Sequence, residues 1–442
     1  MSTPVRLRMI GWLETLLVAL AVVVLPRSGV AQDWPQWRGA NRDAKASGFV
    51  APAAWPAQLN EKWKVEVGDG VATPAVVGDK VFVFARQEGQ EILRCLDATT
   101  GNELWQDKYE TEGASGPAAS FSGPRSSPAV ADGKVVTLGV QGILSCYEAD
   151  SGKRLWRNED YRGSLPRFAT SSSPLIINGM CIVQVGGRDN SGAIVAYDLA
   201  TGEVKWKWDS DAPGYASPVL LTIDGTQAIV TPTDQNLVAV SVADGKLLWQ
   251  TQFSQGRYNA ATPLVDGQTL IYAAGGTTAE KVSLTADGLQ TEKLWNNPEA
   301  TVMFNSPVLR DGLIYGLTGT NNVFCVRAQT GETAWTAPLT ATATPQPKPE
   351  PKPEPKQEPG RGRGGRGGRG GGGGYGSIVD AGSVLFALTP AGDLVVFEPN
   401  DKEYKQLATY KVAAGKTYAY PVIAGKRIFV KDENSLMLLM AE

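Results

Sequence analysis

Two short signatures recur along this chain and constrain its fold more than anything else in it. The first is a Ser/Thr-Pro pair at Thr73-Pro74, Ser127-Pro128, Ser173-Pro174, Ser217-Pro218, Thr262-Pro263 and Ser306-Pro307. Tyr420-Pro421 is a further start, and Gly376-Ser377-Ile378 is a degenerate one without proline. Successive starts lie 54, 46, 44, 45, 44, 71 and 43 residues apart. The second signature is a turn that ends in Trp: LDATTGNELW at 96–105, YEADSGKRLW at 147–156, YDLATGEVKW at 197–206, VSVADGKLLW at 240–249 and VRAQTGETAW at 326–335. A period in the mid-forties with Val- and Ile-rich strands and no helical periodicity fits four short strands per unit.

The third unit shows the logic. SPLIING (173–179), CIVQVGG (181–187), AIVAYD (193–198) and EVKWKW (203–208) read as four strands from the centre outward. Pro174 has no backbone donor and belongs at a strand start or edge, here facing a central channel. In YDLATGE, Asp198 can accept from backbone amides of the tight loop and Gly202 can take a positive φ. Trp206 then lies on the outer strand, where its large ring can cover the seam with the next unit. The expected fold is all-β: an eight-bladed β-propeller of four-stranded antiparallel blades. Trp105, Trp156, Trp206, Trp249, Trp295 and Trp335 end blades one to six, and EYKQLATY (403–410) ends the seventh without Trp. The eighth blade starts at Tyr420 and runs out after three strands. LNEKWKVEV (59–67), with Trp63, is the candidate for its fourth, so an N-terminal strand closes the ring.

Outside the ring, residues 1–31 read as a secretory leader. Arg6 and Arg8 precede the apolar run 16–25, and Gly29-Val30-Ala31 offers small residues for cleavage. The expected location is therefore secreted or periplasmic. The chain's formal charge is −3, and the leader's arginines leave the rest more acidic still, which argues against general nucleic-acid binding. There is no histidine. That excludes a Ser-His-Asp triad, Cys-x-x-Cys-His haem attachment and His-based zinc. Cys95, Cys146 and Cys325 share one slot in three blades, too far apart to pair. With Cys181 they read as small buried hydrophobes, the alternative being one disulfide through Cys181. Arg188-Asp189-Asn190, between glycines, reads as a hairpin turn.

The 71-residue spacing contains an insert, 339–375, with TPQPKPEPKPEPKQEPG followed by GRGRGGRGGRGGGGG. The first half reads as a semi-rigid spacer and the second as a flexible one, neither able to build a core. Arg361, Arg363, Arg366 and Arg369 are candidates for binding a surface polyanion; a spacer without a partner is the other reading.

The pattern Ala-x-Asp-x-x-Thr-Gly-x-x-x-Trp, met in full from Ala196 to Trp206, resembles the tryptophan-docking repeat of pyrroloquinoline quinone (PQQ)-type propellers. Cys95–Trp105, Cys146–Trp156, Cys325–Trp335 and Ala239–Trp249 match with substitutions. DWPQWRGANRD (33–43) is similar to the start of secreted propellers of that kind, which implies that 32–58 forms a lid with Trp34 and Trp37 packed on the ring. The resemblance reaches both quinoprotein dehydrogenases and BamB-like periplasmic scaffolds. The dehydrogenases imply PQQ and Ca2+ held by Glu, Asn and Asp, with a disulfide between adjacent cysteines. No adjacent Cys pair and no mappable ligand motif is present, so no cofactor is expected. The preferred reading is a non-catalytic, monomeric scaffold that binds a protein or an envelope polymer. If the family's orientation holds, residues two before each start ring the channel mouth: Val71, Arg125, Ser171, Tyr215, Ala260, Phe304, Tyr375 and Tyr418. Of these, Arg125, Tyr215, Phe304, Tyr375 and Tyr418 are the candidate binding residues.

The ring-closing strand makes a direct prediction. Deleting residues 59–67 should abolish cooperative thermal unfolding; a soluble deletion variant with an unchanged Tm would refute N-terminal closure.

Overall fold

A computed structural model describes residues 33–46, 48–187, 191–256, 258–339 and 376–442. The leader, the Arg188-Asp189-Asn190 turn, and the insert with Tyr375 and its four arginines lie outside the described residues. The described part falls in one compact unit, Ala31–Glu442.

Eight four-stranded antiparallel sheets follow one another along the chain. Blade three is typical, with strands Leu175–Ile177, Met180–Val185, Ala193–Asp198 and Val204–Asp209 from the axis outward. Inner and middle strands are buried on both faces, because each sheet is covered by a neighbour on either side. They are therefore apolar without strict alternation, whereas outer strands such as Glu103–Glu110 alternate toward solvent. Blade eight consists of Val422–Ala424, Arg427–Lys431, Ser435–Met440 and then Asn60–Glu66. Trp63 pairs with Leu438 and Val65 with Leu436. The last sheet thus joins the two ends of the described chain, and no blade is left with an open seam. Lys431 reinforces this join. Its buried ammonium donates to the carbonyls of Gly68, Gly70 and Asp432, and desolvation lowers its pKa to about 8.

The Trp-ended turns dock each blade on the next. Asp198 Oδ1 accepts from the N–H groups of Ala200 and Thr201, and Gly202 sits at φ +77. The indole of Trp156, one blade back, lies flat on that glycine, and its Nε1–H donates to the Leu199 carbonyl at 3.1 Å. The arrangement recurs where Trp63, Trp105, Trp206 and Trp295 meet Gly101, Gly152, Gly245 and Gly331. Their indoles donate to the carbonyls of Ala98, Ala149, Val242 and Ala328. Trp335 donates to Asn400, in a turn that lacks the glycine. At Trp249 the pattern shifts. Blade five carries the longer hairpin Thr277–Thr285 and Gly288–Asn297, and Gly288 lies over the Leu248 carbonyl instead.

Blade seven has Ala408 in the slot opposite Val396 where other blades carry Trp. The reason is topological. Blade eight draws its outer strand from the N-terminus, so it has no third-to-fourth turn on which an indole could dock. Trp55, from the segment leading to that strand, packs beside this seam against Phe386 and Tyr410.

The Ser/Thr of each start has a role beyond beginning a strand. Its backbone N–H donates to the hydroxyl of the next start, from Thr73 to Ser127, Ser173, Ser217, Thr262 and Ser306. Degenerate blade seven is bridged by Tyr420, whose phenol accepts from the Ser306 N–H at 3.2 Å. The Tyr420 N–H then returns to the Thr73 hydroxyl at 2.9 Å. A closed belt of hydrogen bonds surrounds the axis.

All four cysteines are buried and unpaired. Cys95, Cys146 and Cys325 lie directly across from Trp105, Trp156 and Trp335, where a small side chain leaves room for the ring.

Paired glycine variants isolate the docking contact. A Cβ on Gly202 would meet the Trp156 ring at 2.7 Å, whereas one on Gly225, at φ +81, meets nothing within 4 Å. Gly225→Ala should cost only the left-handed backbone penalty of about 1–2 kcal/mol. Gly202→Ala should cost about 1–3 kcal/mol more through overpacking. Equal losses in denaturant melts would show that the stacked indole contributes nothing.

Candidate functional site

The N-terminal segment 33–46 runs along the inner edges of the ring, with Trp34 and Trp37 packed against it. Trp34 exchanges two backbone hydrogen bonds with Val76 on the innermost edge of blade one. The Pro35 carbonyl accepts from Val130 of blade two, and Ala44 and Ala46 pair with Asp380 of blade seven. These contacts use donors and acceptors that innermost strands otherwise leave open. Arg38 and Arg42, both buried, reach the inner strand starts of blades six and three. Arg38 donates to the Pro307 carbonyl at 2.5 Å, and Arg42 to Pro174 and Ser173 at 2.7 and 3.0 Å. Arg38, Arg42 and Ala44 all have φ near +60, a coil tighter than L-residues ordinarily adopt. Burial lowers both guanidinium pKa values.

Trp37 follows this plug to the belt. Its indole N–H donates to the Thr262 hydroxyl at 3.2 Å, and its ring packs edge-on against Tyr420 at 4.8 Å. Its other side is the floor of a cup of about 450 Å3 on the opposite end of the channel. Val71, Arg125, Ser171, Tyr215, Ala260, Phe304 and Tyr418 all line that cup. The structure therefore brings together every described residue two before a start.

The sequence did not single out Phe121, Phe168 or Tyr258, which also line the cup, nor Trp37 as its floor. Phe121, Phe168 and Tyr258 sit on loops running from one blade's outer strand to the next blade's inner strand. Their offset from the starts is irregular, so the repeat does not mark them. The usable signal was aromatic residues within the longer of these connections, 111–128, 159–174 and 253–263. The insert's described flanks, Leu339 and Gly376, belong to the same class of connection.

The loops are held in place by buried and half-buried polar groups. Asp69 Oδ2 accepts from the Ser122 N–H and hydroxyl and from the Gly123 N–H, fixing the loop that carries Phe121. Asn259 donates to the Thr233 and Asp234 carbonyls, and Gln255 accepts from Ala260 and Ala261, fixing Tyr258. Arg125 Nη2 donates to the Ala118 and Phe121 carbonyls at 2.7 and 2.8 Å. Its Nη1 is buried without a partner. Burial lowers the Arg125 pKa, with Asp69 opposing the shift.

The rings form two groups. Tyr215, Phe168, Tyr258 and Phe304 make a row with centroid spacings of 5.7, 4.7 and 4.6 Å. Phe121 and Tyr418 make an edge-on pair at 5.1 Å. Among the described residues the lining contains no carboxylate. Among the described residues no three Asp, Glu, Cys or His side chains are grouped to hold a metal ion. A Ca2+ ion needs six to eight oxygens, so this donor set does not fit the quinone–Ca2+ pair that the dehydrogenase resemblance implies.

The fold and the plugged, aromatic-cupped channel define a Trp-docked eight-bladed propeller. The chain belongs to the family described as outer membrane protein assembly factor BamB, whose family model matches residues 89–337. It is 25% identical to the outer membrane protein assembly factor BamB of Yersinia pestis over 62% of this chain and 69% of that one. It is 29% identical to a quinohemoprotein alcohol dehydrogenase of Comamonas testosteroni, over 36% of this chain and only 22% of the dehydrogenase. Among solved structures, BamB from Moraxella catarrhalis superposes with a TM-score of 0.59 at 16% identity, covering 87% of this chain and 98% of that one. The Comamonas testosteroni dehydrogenase gives 0.62 at 15%, covering 94% and 82%. At these identities the superpositions speak for the fold alone.

The floor can be tested by itself. Trp37→Phe should cost about 1 kcal/mol, the net worth of the bond to Thr262. Trp37→Ala should cost roughly 3 kcal/mol, in the range of large-to-small substitutions. Urea melts of the two variants check this; a Trp37→Ala protein as stable as wild type would mean the floor is not packed.

Proposed function

We propose that this protein is a non-catalytic scaffold of the cell envelope, secreted or periplasmic after removal of its leader near Ala31, which captures a partner protein on the cup face. The observation that supports this most is the concentration of aromatic side chains on inter-blade loops around one channel mouth. Aromatic residues and arginine dominate binding energy at protein interfaces, and here they stand on braced loops. The family description and the relatives named as outer membrane assembly factors favour a protein over a polymer as partner. Among its described residues the lining offers no carboxylate to act as base or metal ligand, which favours binding over turnover.

Site-specific photo-crosslinking tests this. A benzophenone amino acid at Phe304, on the rim of the cup, should yield discrete adducts in living cells. The same group at Leu104, exposed on an outer strand, should not. Tyr215→Ala should deplete the adducts without lowering Tm. Equal adduct patterns from positions 304 and 104, or none from 304, would overturn the proposal.

A further inference from the structure

We infer that the cup receives a short extended segment of the partner chain, with a bulky aromatic side chain at its tip and an acidic residue beside it. The inference rests on the partner-capture reading above and specifies its chemistry.

Shape and lining come first. A volume of about 450 Å3 floored by Trp37 and walled by rings is large enough for one or two aromatic side chains and too small for a folded element. Such rings favour edge-on and offset contacts with an incoming aromatic group.

Charge is the second argument. Arg125 is the single charged side chain among the described residues lining the cup. One of its terminal nitrogens is spent on the Ala118 and Phe121 carbonyls, and the other is buried with no acceptor. The carboxylate that faces it, Asp69, already accepts three hydrogen bonds from Ser122 and Gly123. Two more cations stand over the ring walls: Lys416 at 5.5 Å from the Phe121 centroid and Arg167 at 5.4 Å from that of Phe168. Glu433 lies against Gly415, outside the lining. A carboxylate next to the aromatic tip would give the open Arg125 donor a charged acceptor, the stronger kind of hydrogen bond.

The third argument separates a chain segment from a small molecule. The row of rings along the wall ends at Phe304, 37% exposed, and its chain neighbour Met303 is 41% exposed. Apolar surface thus continues over the rim, as an occupant longer than the cup requires.

The test uses the purified protein and synthetic peptides followed by calorimetry. The peptide Ac-Ser-Phe-Glu-Phe-Glu-Gly-NH2 should bind. Replacing its Glu residues by Lys, or its Phe residues by Ala, should weaken binding at least tenfold. Arg125→Gln should do the same. Because Arg125 also braces a loop, Ala260→Asp is the second variant. It removes no side-chain hydrogen bond and places a negative charge in the lining, so it should weaken the acidic peptide at least tenfold and favour the lysine peptide. Equal binding of the acidic and lysine peptides would overturn the charge argument. Phenylacetate binding as tightly as the peptide would make this a small-molecule site. If no peptide binds while crosslinks from position 304 persist, this inference fails and partner capture stands. If the peptide binds and position 304 gives no crosslinks in cells, partner capture fails instead.

Discussion

The indole that lies on a neighbour's glycine and donates to that neighbour's carbonyl is the contact on which the ring depends. Blades are single twisted sheets, apolar on both faces, and none can bury those faces alone. The docked Trp sets how most sheets meet the next, because a flat ring needs a flat partner and a glycine at positive φ supplies one; Trp335, which donates to the Asn400 carbonyl, docks on a turn without it. Two further departures follow from the same geometry. Where blade eight has no third-to-fourth turn, blade seven carries Ala408 in place of Trp and Trp55 packs beside the seam. Where blade five's hairpin is lengthened, Gly288 is displaced from Trp249 to the Leu248 carbonyl.

At the axis the problem is polar. Innermost strands are edges that turn backbone N–H and C=O groups toward the axis. The belt from Thr73 round to Tyr420 uses the N–H before each proline, and the proline itself has no donor to satisfy. Arg38 and Arg42 take up carbonyls at Pro307, Pro174 and Ser173 from the other side. With the channel plugged, its remaining mouth becomes a blind cup rather than a passage. A blind, braced, aromatic cup suits holding a group in place.

The ring was legible in the sequence because its parts are local and repeated. A period in the mid-forties, a Pro at each inner strand and a Gly-to-Trp interval of four residues all report on one blade at a time. Even the closing strand could be found by counting, since three strands at one end required a fourth from the other. The ring of residues two before each start was also legible, as a fixed offset within the repeat. Phe121, Phe168 and Tyr258 were not, because their loops differ in length and obey no register. The placing of Trp37 was not legible either, since a lid outside the ring and a plug within it need the same aromatic segment.

What the sequence determined by itself was therefore the number of blades, their strand order and the repeated turns in which Trp206 and its counterparts stand, because short-range spacing encodes each of these. What only the tertiary structure decided was the interior of the channel. Arg38 and Arg42 become carbonyl ligands, Tyr420 a bridge across blade seven, and Trp37 the floor of a cup, only when segments hundreds of residues apart converge on one axis. Convergence of that kind leaves no periodic trace in the chain.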